Sequence, residues 1–231
     1  MTDIHTHILP GMDDGAATVE QSLAMLKTSK EQGVDTVVLT PHFYPWMEAL
    51  DSFLERRDQA FRQLQAALAP DMPKLVLGAE VAWYPNLDTM GQIGELALGQ
   101  SNCIMVEMPN APWTETMLEQ IERLSAVAGL VPILAHVERY LHLQKEGQIK
   151  RLQDMDAVMQ LSAGMLLSPL KRRKAMSLLK AGTWVLGSDC HDPEQRPPCM
   201  GAAVAKLGSN SLENPDVILN WQPDLYDTTQ W

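Results

Sequence analysis

Cysteine is scarce. The 231 residues hold three, Cys103, Cys190 and Cys199, with no C-x-x-C spacing. An odd, scattered set excludes a disulfide framework and favours a reducing compartment. Long hydrophobic runs are missing too. Hydrophobic residues make up 45% of the chain, yet no stretch approaches the ~18 apolar residues of a membrane span. The opening residues Met1-Thr2-Asp3-Ile4-His5 have neither a basic start nor an apolar core, so the expected location is cytoplasmic, without membrane insertion. Basic residues are outnumbered 18 to 29, for a formal charge of −11. Such a chain is not built to hold nucleic acid by general electrostatics. A phosphorylated ligand would have to be met by bound metal or by a few placed arginines.

What is present is an alternation. Strand-like runs at 2–5, 34–40, 74–80, 103–107, 131–136, 157–161 and 183–187 interleave with helical runs near 18–32, 47–69, 89–98, 114–129, 138–153, 169–181 and 198–207. Seven β/α repeats predict an α/β domain with parallel strands, as an open sheet or a barrel. The length suits one domain over residues 1–231. Residues 209–231, with Trp221, Tyr226 and Trp231, lack a clear period and read as a tail packed on that domain.

The reactive residues cluster at strand ends. His5 and His7 close the first run and His42 follows the second. Glu80, Glu107 and His136 end the third, fourth and fifth, and Asp189 and His191 follow the seventh. Asp14 sits in the loop Gly11-Met12-Asp13-Asp14-Gly15. The carboxyl ends of parallel strands share one face, so these residues are expected to meet. H-x-H on a strand aims both imidazoles to one side, and Asp189-x-His191 repeats the spacing.

Any one such histidine is more often structural. Five of six histidines together with four carboxylates at strand ends are better explained by metal. Imidazole plus carboxylate suits zinc, manganese or iron rather than calcium. Nine donors exceed the coordination number of one ion, so two or three ions are expected. Closely spaced ions generate hydroxide at neutral pH and clamp an in-line displacement. Three divalent ions against four carboxylates leave about two positive charges, which matches a phosphate dianion. His142 is left over as a solvated helix residue. Asp3 and Asp13 are either ligand-orienting or simple turn residues.

The strings DIHTHILPGMDDGA, TPHFYP, GAEV, ILAHVERY and GSDCHDPEQRPP resemble the polymerase and histidinol phosphatase (PHP) superfamily. More closely, they resemble its bacterial capsule and exopolysaccharide tyrosine phosphatases of CpsB/CapC type. The match runs from residue 3 to about residue 208. The resemblance implies a distorted seven-stranded (β/α)7 TIM-like barrel holding three divalent ions, commonly Mn2+, with Fe, Zn or Mg as alternatives. It implies one ion on His5, His7, Glu80 and Asp189, a second on Glu80, Glu107 and His136, and a third on Asp14, His42 and His191. Arg139 and Arg196 match the family's phosphate-binding positions. Ser162 stands where the family usually has Asn.

The implied activity is hydrolysis of a protein phosphotyrosine, by in-line attack of hydroxide on phosphorus with Arg139 and Arg196 neutralising charge. The implied partner is the C-terminal tail of a bacterial tyrosine kinase that regulates polysaccharide export. Three alternatives stand beside it. One is a small-molecule phosphatase such as one for histidinol phosphate. Another is an amidohydrolase, disfavoured because Glu107 and Leu161-Ser162 occupy the positions of that family's bridging lysine and sixth-strand histidine. The third is a metal-stabilised scaffold without activity.

Three features remain. Phe43, Tyr44, Trp46, Trp83, Tyr84 and Trp113 follow strands and either rim the site as a cradle for an aryl ring or pack the loops. Cys190 and Arg196 form C-x5-R, the spacing of cysteine-dependent tyrosine phosphatases. The intervening His191-Asp192-Pro193-Glu194-Gln195 has no glycine and makes a poor phosphate nest, and Cys190 should alternate away from Asp189 and His191. Finally, Lys171-Arg172-Arg173-Lys174 reads as a solvated helix face, or as a dock for an acidic peptide.

Overall fold

Parallel pairing organises the chain, as the β/α alternation demands. The computed structural model describes residues 1–207, 212 and 215–220. The elements run β1 (Thr2–Thr6), α1 (Val19–Glu31), β2 (Thr36–Leu39), β3 (His42–Phe43), α2 (Leu50–Ala67), β4 (Lys74–Leu77), β5 (Glu80–Ala82), β6 (Cys103–Glu107), α3 (Glu115–Ala128), β7 (Val131–Leu134), α4 (Glu146–Asp154), β8 (Val158–Ser162), α5 (Gly164–Leu167), α6 (Pro169–Leu178), β9 (Thr183–Gly187), α7 (Met200–Leu207) and α8 (Pro215–Leu219).

Nine strands therefore appear where seven were expected. They form two sheets, β1-β2-β4 and β3-β5-β6-β7-β8-β9, all parallel. The expected run 74–80 is broken near its end, and the run 34–40 is followed past a break by an additional short strand. Pro41, which has no N–H to give a ladder, separates β2 from β3. Gly78 and Ala79 separate β4 from β5. The ladder is not a continuous ring. Two hydrogen bonds cross the seam between β1 and the end of β9: Asp189 N donates to His5 O at 2.8 Å and His7 N to Cys190 O at 2.9 Å.

Helix boundaries also shift. Residues 89–98 form two short 3-10 turns, Leu87–Thr89 and Ile93–Leu96, instead of a helix. The run 138–153 begins as 3-10 turns at Val137–Arg139 and Leu141–Leu143 before α4. His142 is thus an exposed turn residue and not a helical one. Of the tail at 209–231, residues 209–211, 213–214 and 221–231 lie outside the described residues, Trp221, Tyr226 and Trp231 among them.

The interior explains why polar groups gather at one end. Ile4, Val38, Met105, Ile133, Val158 and Val185, from six strands, form a buried cluster. Ile218 of α8 joins it, and its carbonyl lies 3.6 Å from Sγ of Cys103, the first residue of β6. That closes the amino-terminal end of the strands with apolar atoms. The opposite end keeps the histidines. A register shift in β1 between Asp3 and Thr6 re-aims side chains, as bulges beside active sites do. Ile4 joins the interior while His5 and His7 both face the cluster above it. No helix among the described residues is long and apolar enough to cross a membrane.

Candidate metal centre

All nine expected donors converge. His5 Nε2 and His7 Nε2 lie 3.1 Å apart. Glu80 Oε2 is 3.1 Å from His5 Nε2, 3.2 Å from His7 Nε2 and 3.1 Å from His42 Nδ1. Glu80 Oε1 is 2.8 Å from His136 Nε2. Asp189 Oδ1 is 3.6 Å from His5 Nε2 and 3.4 Å from His7 Nε2. Asp14 Oδ1 sits 3.5 Å from both His42 Nε2 and His191 Nε2. Glu107 Oε1 is 3.6 Å from His136 Nε2. Donor atoms fall into three overlapping groups: His7 with Asp14, His42 and His191; His5 with His7 and Glu80; and His42 with Glu80 and Glu107. Burial is graded. His5, His7, Glu80, His136, Asp189 and His191 are buried, His42 and Glu107 are half-buried, and Asp14 is exposed on the lip.

The local backbone is shaped for this. His136 and Asp189 sit at positive φ, +30° and +55°. Such strain in non-glycine residues persists where surrounding structure enforces it. Both follow strand ends and turn a donor back over the cluster. Gly15 is required by packing, since a Cβ there would fall 2.1 Å from His7 O. That contact holds the Asp13-Asp14 loop against β1.

Hydrogen bonds settle which nitrogen of each leading histidine faces inward. Asp13 Oδ2 accepts from His7 Nδ1 at 2.8 Å and from His42 N at 2.9 Å. Gln160 Oε1 accepts from His5 Nδ1 at 3.1 Å and from His136 N at 2.6 Å. With both Nδ1 atoms donating, the two Nε2 atoms face each other and present lone pairs wherever no proton occupies them. Facing lone pairs repel unless a cation lies between them. Nearby, His42 Nδ1, Glu80 Oε2 and His136 Nδ1 are buried with no hydrogen-bond partner, and such groups are costly unless bound. The donor set fits divalent metal.

The electrostatics agree. Burial opposes a charge on His7, yet hydrogen bonds to Asp13, Asp189 and Glu80 hold its pKa well above the usual value. Burial likewise opposes a charge on His5, and Glu80 and Asp189 outweigh it. Burial would raise Glu80, but His5 and His136 hold it well below the carboxylate range. His191 is pushed down to about 4 by burial and by His7, so it is neutral at pH 7 and offers a lone pair. The pocket thus attracts cations strongly through its carboxylates and inner histidines.

Arg139 and Arg196 reach the same place. Both Nη2 atoms donate to Asp189 Oδ2, at 2.6 Å for Arg196, and both side chains remain 41% exposed. They stand at the cluster edge with donors to spare.

Sequence reasoning missed Gln160 and Tyr140. A buried glutamine inside the apolar strand β8 was the available signal for the first. Tyr140 OH donates to Glu107 Oε1 at 3.0 Å, which orients that carboxylate. Asp13 orients the His7 ring. Asp3 lies beneath the site, accepting from Ser188 N at 2.9 Å, and burial raises its pKa to about 6. Among the aromatics, Phe43 and Trp113 are core residues and do not rim the site. Tyr44, Trp46 and Trp83 line a cavity of about 170 Å3 together with Glu107 and Tyr140. Tyr44 stacks on His42 with centroids 5.2 Å apart.

Cys190 is 1% exposed within the apolar core, and burial holds its thiol pKa well above the ordinary value. The loop after it is no phosphate nest. Asp192 consumes its backbone donors, Oδ1 accepting from Glu194 N and Gln195 N and Oδ2 from Arg196 N.

Residues 1–215 match the family described as capsular polysaccharide synthesis, CpsB/CapC. The chain is 30% identical over 220 residues to the tyrosine-protein phosphatase CpsB of Streptococcus pneumoniae, covering 88% of each. It is 29% identical over 205 residues to the tyrosine-protein phosphatase YwqE of Bacillus subtilis (strain 168), covering 85% of this chain and 79% of that one. Its fold is similar to a solved structure from work on YwqE of Bacillus subtilis and CpsB of Streptococcus pneumoniae, described as unique metal-dependent tyrosine phosphatases. The TM-score is 0.80 at 22% identity, over 96% of this chain and 95% of that one.

Two variants separate orientation from chemistry. Gln160→Leu frees the His5 ring, and metal affinity should fall about 10- to 100-fold, as loss of a ligand-orienting hydrogen bond does. Metal titration of the purified variant reads this, and unchanged affinity contradicts it. Cys190→Ser should keep most phosphatase activity; an inactive but folded, metal-loaded variant would overturn a cysteine-independent mechanism.

Proposed function

The chain belongs to the CpsB/CapC family of capsular polysaccharide synthesis, and from that premise we propose that it is a metal-dependent protein-tyrosine phosphatase. The observation that supports this is the meeting of nine residues able to donate to metal with two arginines at one cluster edge. In this proposal the fold is a distorted seven-stranded barrel in which Pro41 and Gly78-Ala79 each break one strand in two. One functional domain spans the chain. The expected site is a three-ion centre, with Mn2+ the expected metal. His5, His7, Glu80 and Asp189 would hold one ion, Glu80, Glu107 and His136 a second, and Asp14, His42 and His191 the third.

Divalent ions bound there supply Lewis-acid polarisation and a water of lowered pKa. The chain's own residues do the rest. Arg139 and Arg196 turn their free guanidinium donors from Asp189 to the phosphoryl oxygens, where a planar fork matches two oxygens at once. Burial of His5, His7 and Glu80 excludes bulk water from the inner face, which strengthens each electrostatic contact. His42 and His191, on the outer side, complete the catalytic face. Tyr140 holds Glu107 through its hydroxyl. The aromatic cavity of Tyr44, Trp46 and Trp83 abuts Glu107 and favours an aryl leaving group over a small aliphatic phosphate such as histidinol phosphate. A cytoplasmic phosphotyrosine protein is the proposed substrate, with a tyrosine-kinase tail as the family's implied partner.

The test combines metal content with turnover of p-nitrophenyl phosphate, a phosphotyrosine peptide and histidinol phosphate in manganese. Wild type should bind metal and prefer the aryl substrates. His136→Ala should bind less metal and lose about 100-fold or more in rate, the scale on which one transition-state electrostatic group acts. Full metal and full rate in His136→Ala would show the site to be elsewhere.

A further inference from the structure

The basic row of α6 finds no counter-charge among the described residues. Among the described residues, Lys171, Arg172, Arg173 and Lys174 make no ion pair, whereas Arg123, Arg139, Arg151 and Arg196 are each paired. Four like charges clustered on one short helix repel each other, and a solvated face does not need so many.

Lys171 also lines a cavity of about 480 Å3. Arg139 and Arg196 stand on the same cavity, and so does Asp189, which makes it continuous with the donor cluster. Ser162 lines it as well. Its residue is 9% exposed, and its hydroxyl is buried without a hydrogen-bond partner. A buried donor left unpaired signals a missing acceptor. Arg139, Lys171 and Arg196 outnumber the carboxylates Glu138 and Asp189 on this cavity, and with the unpaired Ser162 hydroxyl they favour an anion with oxygen acceptors. Met165, Leu167 and Pro197 supply apolar wall, which a bare inorganic ion would not use and the methylenes of a glutamate side chain would.

The two cavities flank the donor cluster. Consecutive residues divide between them: Arg139 lines the cationic cavity and Tyr140 the aromatic one. A chain laid across the site with its aryl ring against Tyr44 and Trp46 meets Lys171 on the other side.

We propose that this cavity is a carboxylate subsite. It takes an acidic side chain next to the phosphotyrosine of a polypeptide substrate, and the α6 row steers further acidic residues toward the site. The inference rests on the phosphatase reading of the neighbouring cluster, in which Arg139 and Arg196 hold the phosphoryl group, leaving Lys171 and Ser162 for the neighbour.

The test uses the full, metal-loaded chain. It compares kcat/KM for two phosphotyrosine peptides of equal length, one flanked by Glu and one by Gln, with p-nitrophenyl phosphate as a substrate that has no flank. Wild type should favour the Glu peptide by about tenfold, the size that a few exposed ion pairs give, and added salt should erode the preference. Lys171→Glu should abolish or reverse the preference and leave p-nitrophenyl phosphate turnover unchanged. Ser162→Ala should weaken it through KM. Equal kcat/KM for the two peptides in wild type overturns the subsite, as does a preference that survives Lys171→Glu. Hydrolysis of none of the three compounds overturns the phosphatase reading instead, and the subsite with it.

Discussion

Two imidazole nitrogens face each other at 3.1 Å, and the rest of the site is arranged around them. Asp13 holds one ring and Gln160 the other, each by its far nitrogen. The lone pairs therefore point at one another and at Glu80. With neither a proton nor a metal ion between them the arrangement is repulsive, and a proton on His5 or His7 competes with the metal ion for that place. With a cation, the same repulsion becomes convergence. The raised pKa values of His5 and His7 express this demand for positive charge from within the protein.

The fold exists to hold that geometry. An apolar interior from six strands, closed below by Ile218, pushes polar side chains to the upper end. The period of two along β1 brings His5 and His7 to the same face. Positive φ at His136 and Asp189 turns two more donors inward. The cost of that strain is tolerable because hydrogen bonds hold the backbone at both places, Asp189 N on His5 O and His136 N on Gln160 Oε1. A site of −4 formal charge from Asp14, Glu80, Glu107 and Asp189 is then finished on its outer edge by two arginines.

Much of this was legible in the sequence because strand ends are legible. Apolar β-branched runs announce strands, and a His or carboxylate just past each run lands on one face whatever the exact topology. The period of two in His5-x-His7 and Asp189-x-His191 predicts shared direction. What stayed hidden depends on packing. Gly78 lies inside an expected strand and Pro41 just past the end of another, and whether the chain pairs again beyond such a break is decided by its neighbour's hydrogen bonds. The stretch 87–96 has helical spacing but closes as 3-10 turns, with Asn86 and Gln92 in left-handed conformations. Phe43 and Trp113 look like rim aromatics because they follow strands, yet both are buried. Gln160 and Tyr140 act only through partners far away in sequence, so no local pattern marks them.

The central claim is that the cluster requires a cation to be at ease. Thermal unfolding of the metal-stripped protein, with and without Mn2+, tests it most directly. A ligand that binds the folded state raises the midpoint by mass action. The account predicts a higher Tm with Mn2+, rising further with its concentration, and a second chelation step that restores the lower value. A midpoint that does not move at saturating Mn2+, Zn2+ or Fe2+ would contradict it.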